Sequence, residues 1–230
     1  MATESTGSRL WLGRLRAVFE KDLVTELRTR YGLNAILIFA LTSLVSVSFS
    51  MAGTPIGEDV QAALFWILVF FSAMAGLARV FVHEEERGTA ATLRLSASSS
   101  LVFCGKFLFN LTLLLAVEVL LVPLFLVLVA HGPVSWGLFL VTLALGSLGL
   151  SAAGTLMAAV VSRAGARTAL FAGLAFPLLL PVLVTGVAAT RAAFRGLGFE
   201  AVGGELRVLV SYAVVMFTAG LILFDFVWME

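Results

Sequence analysis

Long apolar stretches separated by short polar connections dominate the pattern of side chains along the chain. Six of them have the length of about 20 apolar residues that a helix needs to cross a bilayer. They are residues 33–52, 60–78, 107–130, 134–162, 168–190 and 208–224, the last with a continuation to Trp228. None alternates polar and apolar residues as a barrel strand does, and a backbone in lipid must satisfy its own hydrogen bonds. The pattern predicts an all-α integral membrane bundle of six transmembrane helices.

The first thirty residues follow a different pattern, in which apolar side chains recur on one helical face and basic side chains on another. The apolar positions are Leu12, Leu15, Phe19, Leu23 and Leu27, and the basic ones are Arg14, Lys21 and Arg28. The segment has neither the apolar core nor the cleavage site of a signal peptide. We therefore predict an N-terminal interfacial amphipathic helix over 8–31, with a solvated cytoplasmic tail helix as the alternative.

Composition agrees with a membrane protein. Of the 230 residues, 60% are hydrophobic and 13% are charged, so the chain cannot cover a water-soluble globule with polar groups. The net charge of +1 gives no reason to expect a nucleic-acid partner. Cys104 is the single cysteine, which excludes an internal disulfide, a CxxC pair and a covalent haem-attachment motif.

The distribution of Lys and Arg predicts the orientation in the membrane. Twelve of the 15 lie before the first stretch or in the connections after the second and the fourth. By the positive-inside rule these segments and both termini are cytoplasmic. The remaining Arg191, Arg195 and Arg207 lie in the connection after the fifth stretch, partly offset by Glu200 and Glu205. We expect residues 191–206 to form an interfacial helix outside the membrane.

Glu118 is the one ionisable side chain deep within a predicted span. A carboxylate near the bilayer centre costs about 3 kcal/mol on insertion scales, so it normally faces a bundle interior or a wet cavity. Two interpretations remain open: a coupling or cavity group, or a protonated glutamate that hydrogen-bonds to a neighbouring helix.

Other polar and breaking residues fall inside the spans. Pro177 and Pro181 lie four residues apart in the fifth span and predict a bend, which serves either as a gate hinge or as static packing. Small residues recur in the fourth span with four-residue spacing and permit close helix packing, within the subunit or between two subunits. They are Ser147, Ser151 and Thr155, with Gly149 and Ala153.

Catalytic and nucleotide-binding patterns are missing from the sequence. Gly105 and Lys106 form a Gly-Lys pair, but Ser100 and Phe107 stand where a P-loop needs Gly and Ser or Thr. An intramembrane enzyme would need a second catalytic group at the depth of Glu118. His131 lies at the outer end of the third span, a bilayer away from the other histidine, so the two cannot ligate one haem or one metal ion.

A short polar segment at 83–100 separates the second and third spans. It contains an acidic run followed by a Gly-Thr pair and a leucine, namely Glu84, Glu85, Glu86, Arg87, Gly88, Thr89 and Leu93. Acidic residues are favoured at a helix start, and Gly with Thr can break and re-cap the chain. We expect a small charged knob on the cytoplasmic face, with a solvated loop as the alternative.

This segment, with its following Lys106, is similar to the coupling loop of ABC-2 permease subunits. Further features narrow the resemblance: residues 19–23 with Glu26, Leu27 and Arg28; residues 106–110 with Glu118 and Pro123; Arg163 and Arg167 before 176–183; the closing 224–228; and a length near 230 with six spans. With these residues the chain resembles the haem exporter protein B (CcmB) family, the permease subunits of a cytochrome c maturation ABC transporter.

The resemblance implies a single permease domain over 1–230, without enzymatic activity, in a bacterial inner membrane. Residues 84–96 would transmit the motion of a separate cytoplasmic P-loop ATPase, beside a second permease copy. Haem-handling membrane partners would act at the outer face, where ATP hydrolysis releases a haem-loaded chaperone. The chain alone binds no cofactor; haem is reached through the complex, where His131 could contribute a ligand.

Two further functions remain open on sequence grounds. An ABC-2 exporter for a glycan, lipid or drug shares the fold and the coupling loop and differs in cargo. A passive scaffold would have no ATPase partner.

Overall fold

A computed structural model describes residues 2–51, 56–77, 98–129, 132–162 and 167–229. Within these ranges the chain forms seven α-helices, one short 3-10 helix and no strand. The α-helices are α1 (Ala2–Thr29), α2 (Tyr31–Met51), α3 (Glu58–Leu77), α4 (Ser99–Leu128), α5 (Trp136–Ser162), α6 (Arg167–Phe194) and α7 (Gly203–Met229). Helices α2 to α7 are long and apolar enough to cross a membrane. The predicted all-α bundle with six spans is confirmed.

A single residue breaks the chain between α1 and α2. Arg30 adopts a left-handed backbone with φ of 54°, which ends α1. The backbone N–H of Leu33 donates to the Glu26 carboxylate at 2.6 Å. This N–H lies in the first turn of α2, where it has no partner within the helix and where negative charge is favourable. Glu26 therefore caps α2 from the end of α1.

The N-terminal helix α1 packs on α4 through a face that overlaps only in part with the predicted apolar stripe, of which Phe19 is partly buried and packs against the core. Val18 is 7% exposed and Asp22 is 9% exposed, whereas Leu12 and Leu27 are each 57% exposed. A Cβ on Gly105 of α4 would lie 2.6 Å from the Val18 side chain, so the missing side chain makes room for this contact. A helix is present here, over Ala2–Thr29 instead of the predicted 8–31, and its amphipathic, interfacial character stays a prediction.

Helix α4 begins eight residues before the predicted start of the third span at Phe107. Its 30 residues extend over about 45 Å, which exceeds a hydrocarbon core of about 30 Å. Lys106 therefore lies buried inside the helix, and not in the connection after the second stretch, to which the sequence pattern assigned it. A buried ammonium requires a counter-charge, and Asp22 supplies it.

Helix α5 lies at the centre of the bundle and packs against α6 and α7 along most of its length. Two glycines of α5 allow large side chains to pack closely against its backbone. A Cβ at Gly146 would lie 2.0 Å from the Trp66 ring, and a Cβ at Gly149 would lie 2.9 Å from the Val182 side chain. The stripe of small residues is fully buried at Ser147, Ser151, Ala153 and Thr155. Of the two predicted alternatives, this stripe packs within the subunit.

The connection between α6 and α7 is not one continuous helix over 191–206, contrary to the expectation. Helix α6 continues through Arg191 to Phe194, and a 3-10 helix at Phe199–Val202 precedes α7. That this segment lies outside the membrane stays a prediction.

Glycine ends α6 in the manner of a Schellman motif. Gly196 has a φ of +76°, and its N–H donates to the Ala193 carbonyl at 3.2 Å. The Leu197 N–H donates to the Ala192 carbonyl at 2.9 Å. Because the left-handed backbone at Gly196 satisfies the last carbonyls of α6, the helix stops there.

Candidate functional site

Several predicted functional residues lie outside the described parts of the chain. They are the coupling residues Glu84, Glu85, Glu86, Arg87, Gly88, Thr89 and Leu93, and the candidate haem contact His131. Their roles stay predictions. Helix α4 follows the predicted coupling segment in the chain, so its contacts with other helices show what that segment is connected to.

A buried ion pair joins the beginning of α4 to α1. The Lys106 Nζ lies 2.9 Å from the Asp22 Oδ2, and the two side chains are 2% and 10% exposed. A desolvated pair of this kind is costly to break, since removing one partner leaves the other charge unpaired in the protein interior. The ion pair between Lys106 and Asp22 therefore holds the first turns of α4 against α1.

A second contact joins the beginning of α4 to the end of α7. The Ser99 hydroxyl donates to the Asp225 carboxylate. About one turn further along α4, the Phe103 ring packs against Gly220, where a Cβ would lie 2.1 Å from the ring, and against Phe224. The helix that follows the coupling segment is thus held by both α1 and α7.

Polar side chains continue along α4 and meet α5 in two rungs. The Asn110 amide donates to the Thr155 hydroxyl at 2.8 Å. Eight residues later, about 12 Å along the axis, both carboxyl oxygens of Glu118 lie near the Ser147 hydroxyl, at 2.7 Å and 2.9 Å. Helices α4 and α5 are antiparallel, and Thr155 and Ser147 are likewise eight residues apart, so the two contacts are in register. We call Asn110, Glu118, Ser147, Ser151 and Thr155 the α4–α5 polar seam.

The polar seam is sealed from lipid. All five side chains are 0–2% exposed. The Asn110 Oδ1 and the Ser151 Oγ have no hydrogen-bond partner among the described residues. Among the residues that the structure describes, Glu118 contacts Ser147 and no cation, and helix α5 carries no charged residue. Glu118 therefore contacts a hydroxyl group of the neighbouring helix, and its role as a coupling or cavity group stays a prediction.

The two kink candidates lie within an uninterrupted helix. Helix α6 continues through Pro177 and Pro181. The Thr185 hydroxyl donates to the Pro181 carbonyl at 2.5 Å, and the Tyr212 hydroxyl of α7 donates to the Leu178 carbonyl at 2.8 Å. The second bond occupies a carbonyl near the prolines and ties this part of α6 to α7. A hinge role for the prolines stays a prediction.

At the opposite end of the bundle, the Asp59 carboxylate forms ion pairs with Arg191 and Arg195, near the C-terminus of α6. Arg191 lies 3.2 Å and Arg195 lies 2.7 Å from its carboxylate oxygens. All three side chains are about half exposed, so this cluster is well solvated and contributes little to stability. Asp59 thus neutralises part of the positive charge in the connection after the fifth span.

Metal binding finds no support in the described ranges, which bring no three His, Cys, Asp or Glu side chains together. Sequence reasoning singled out Glu118 but missed its partner Ser147 and the roles of Asp22, Asn110 and Thr155. The available signal was the spacing. Asn110 and Glu118 are eight residues apart on α4, and the stripe on α5 repeats every four residues, so that Ser147 and Thr155 have the same separation.

Comparison with known proteins places the chain in a family. The family model described as CcmB protein matches residues 14–226. A curated relative from Bradyrhizobium diazoefficiens, named heme exporter protein B, is 28% identical over 218 residues, which cover 90% of this chain and 93% of the relative. Since the family model covers nearly the whole chain, including both partners of the buried ion pair and all of the polar seam, the protein belongs to the CcmB family.

Proposed function

We propose that this protein is the membrane subunit of a haem-exporting ABC transporter for cytochrome c maturation. Membership of the CcmB family is the observation that carries the proposal, and the name of the Bradyrhizobium relative supports haem as the cargo. The six apolar helices agree with a multi-pass protein of a bacterial inner membrane. As a permease subunit it is not itself an enzyme, and a separate P-loop ATPase supplies the hydrolysis of ATP.

In this proposal the ATPase acts on residues 84–96, which lead directly into α4. A push on the start of α4 is passed to α1 through Lys106 and Asp22, and to α7 through Ser99 and Asp225. It is passed along α4 to α5 through the two rungs of the polar seam. These contacts support coupling because together they join α4 to α1, α5 and α7, and those to α1 and α5 are buried.

Charge reversal tests the coupling segment. The double variant Glu85→Lys and Glu86→Lys should lose the ATPase during purification of the tagged complex in mild detergent. The matched control is Glu200→Lys and Glu205→Lys, which makes the same charge change on the predicted outer side and should keep the ATPase bound. Loss of the ATPase from both variants, or from neither, would contradict the assignment of residues 84–96.

The cargo requires a separate measurement. A strain that lacks its own permease subunit should regain covalent haem in its c-type cytochromes when it expresses this chain, and should fail to do so with the Glu85→Lys and Glu86→Lys variant. Normal cytochrome c in the deleted strain, combined with a defect in a glycan or lipid, would favour the exporter alternative. Two differently tagged copies that purify together would support a second permease copy in the complex.

A further inference from the structure

We infer that Glu118 is held as a neutral carboxylic acid in the membrane and donates its proton to Ser147, so that it locks α4 to α5 without carrying charge. This inference concerns a state of the polar seam and does not depend on haem as the cargo.

The Ser147 hydroxyl has fewer hydrogens than it has neighbouring oxygens. Its hydroxyl oxygen lies within 2.9 Å of three oxygens, namely both carboxyl oxygens of Glu118 and the carbonyl oxygen of Leu143. The hydroxyl has one hydrogen, and a carbonyl can only accept. If Ser147 donates to Leu143, at 2.7 Å, the contact with Glu118 needs a proton from Glu118.

An ionised Glu118 that accepts the Ser147 proton would have too few hydrogen-bond donors for its negative charge. If Ser147 donates to an ionised Glu118, the carboxylate has this single donor among the described residues and is 2% exposed. An ionised carboxylate needs several donors or a cation to offset the loss of water. The nearest Lys or Arg on α4 is Lys106, twelve residues away or about 18 Å along the axis, and it is paired with Asp22.

The other rung of the seam has the same donor order. Asn110 donates to the Thr155 hydroxyl at 2.8 Å, and that hydroxyl donates to the Ser151 carbonyl four residues earlier, at 2.7 Å. At the Glu118 rung, Ser147 likewise faces the carbonyl of the residue four positions earlier. A protonated Glu118 completes this pattern, with the α4 side chain as donor, the α5 hydroxyl as relay and an α5 carbonyl as acceptor.

Infrared spectroscopy of the full-length protein in lipid vesicles at neutral pH tests the inference. The carbonyl stretch of a protonated carboxylic acid is separate from the carboxylate stretches. We expect one such band in the wild-type protein, shifted by labelling of glutamate with ¹³C at the side-chain carboxyl and lost in Glu118→Gln. The matched control is Glu205→Gln, near the start of α7, which should remove carboxylate intensity and leave the acid band unchanged.

Replacement of the acceptor provides a second measurement that does not need Glu118→Gln to fold. In Ser147→Ala the acid should lose its hydrogen bond, so its carbonyl band should move to higher frequency and remain present. A wild-type spectrum without a glutamic acid band, or an acid band that is unaffected in both Glu118→Gln and Ser147→Ala, would overturn the inference.

Discussion

The ammonium of Lys106 and the carboxylate of Asp22 lie 2.9 Å apart in the contact between α1 and α4, almost completely removed from solvent. The pair joins an N-terminal helix to the first turns of a spanning helix. Because Lys106 lies ten residues after the segment that we propose as the ATPase contact, on the helix that follows it, the strength of the pair bears on both stability and coupling.

Asp22→Asn should lower the free energy of unfolding by about 3 kcal/mol, because it removes the carboxylate charge that lies 2.9 Å from the buried Lys106 ammonium. The double variant Asp22→Asn and Lys106→Met should recover most of this loss. Denaturant titration in mixed micelles, followed by tryptophan fluorescence, measures both. As a control, Glu20→Gln breaks the exposed pair with Arg16 and should cause no measurable change. Equal losses in Asp22→Asn and Glu20→Gln would contradict the buried pair.

The Asn110–Thr155 bond should show a modest coupling energy of about 0.6 kcal/mol, the average of hydrogen bonds between membrane helices. A double-mutant cycle with Asn110→Ala and Thr155→Ala measures it in the same titration. Thr112→Ala in place of Thr155→Ala serves as a control, since the Thr112 hydroxyl donates to the Leu108 carbonyl of its own helix. Coupling of the control pair as large as that of Asn110 and Thr155 would argue against the rung.

Gly146→Ala should be destabilising by about 1–3 kcal/mol, the usual cost of overpacking. The new methyl group would lie 2.0 Å from the Trp66 ring, which is fully buried and held in place by its indole N–H bond to Thr190 at 2.8 Å. Gly204→Ala is the matched control, because nothing lies within 4 Å of its missing Cβ. The two variants should differ clearly in thermal unfolding midpoint, and indistinguishable midpoints would contradict the packing.

Labelling of introduced cysteines tests the orientation, in a Cys104→Ala background that removes the native thiol. Ala90→Cys, in the predicted coupling segment, should react with a membrane-impermeant maleimide in inside-out vesicles only. Gly198→Cys, in the exposed turn between α6 and α7, should react in right-side-out vesicles only. The reverse result would exclude an ATPase contact at 84–96.

The sequence by itself determined the number and type of the elements. A hydrocarbon core of fixed thickness permits few solutions, so six apolar stretches had to become six helices. It also marked Glu118, because a carboxyl group inside such a stretch requires a reason. The ends of the helices were less well predicted, since Gly196 and the cap at Glu26 act through local hydrogen bonds that hydropathy does not register.

Only the tertiary structure decided which polar groups meet. The sequence did not identify Asp22 as the partner of Lys106, which it becomes when α1 packs on α4. It marked Ser147 only as one of several small residues, and the packing of α4 on α5 brings Glu118 to it. The physical reason is that hydropathy depends on each side chain alone, whereas an ion pair or hydrogen bond depends on distances of about 3 Å between residues far apart in the chain. Packing of the helices sets those distances.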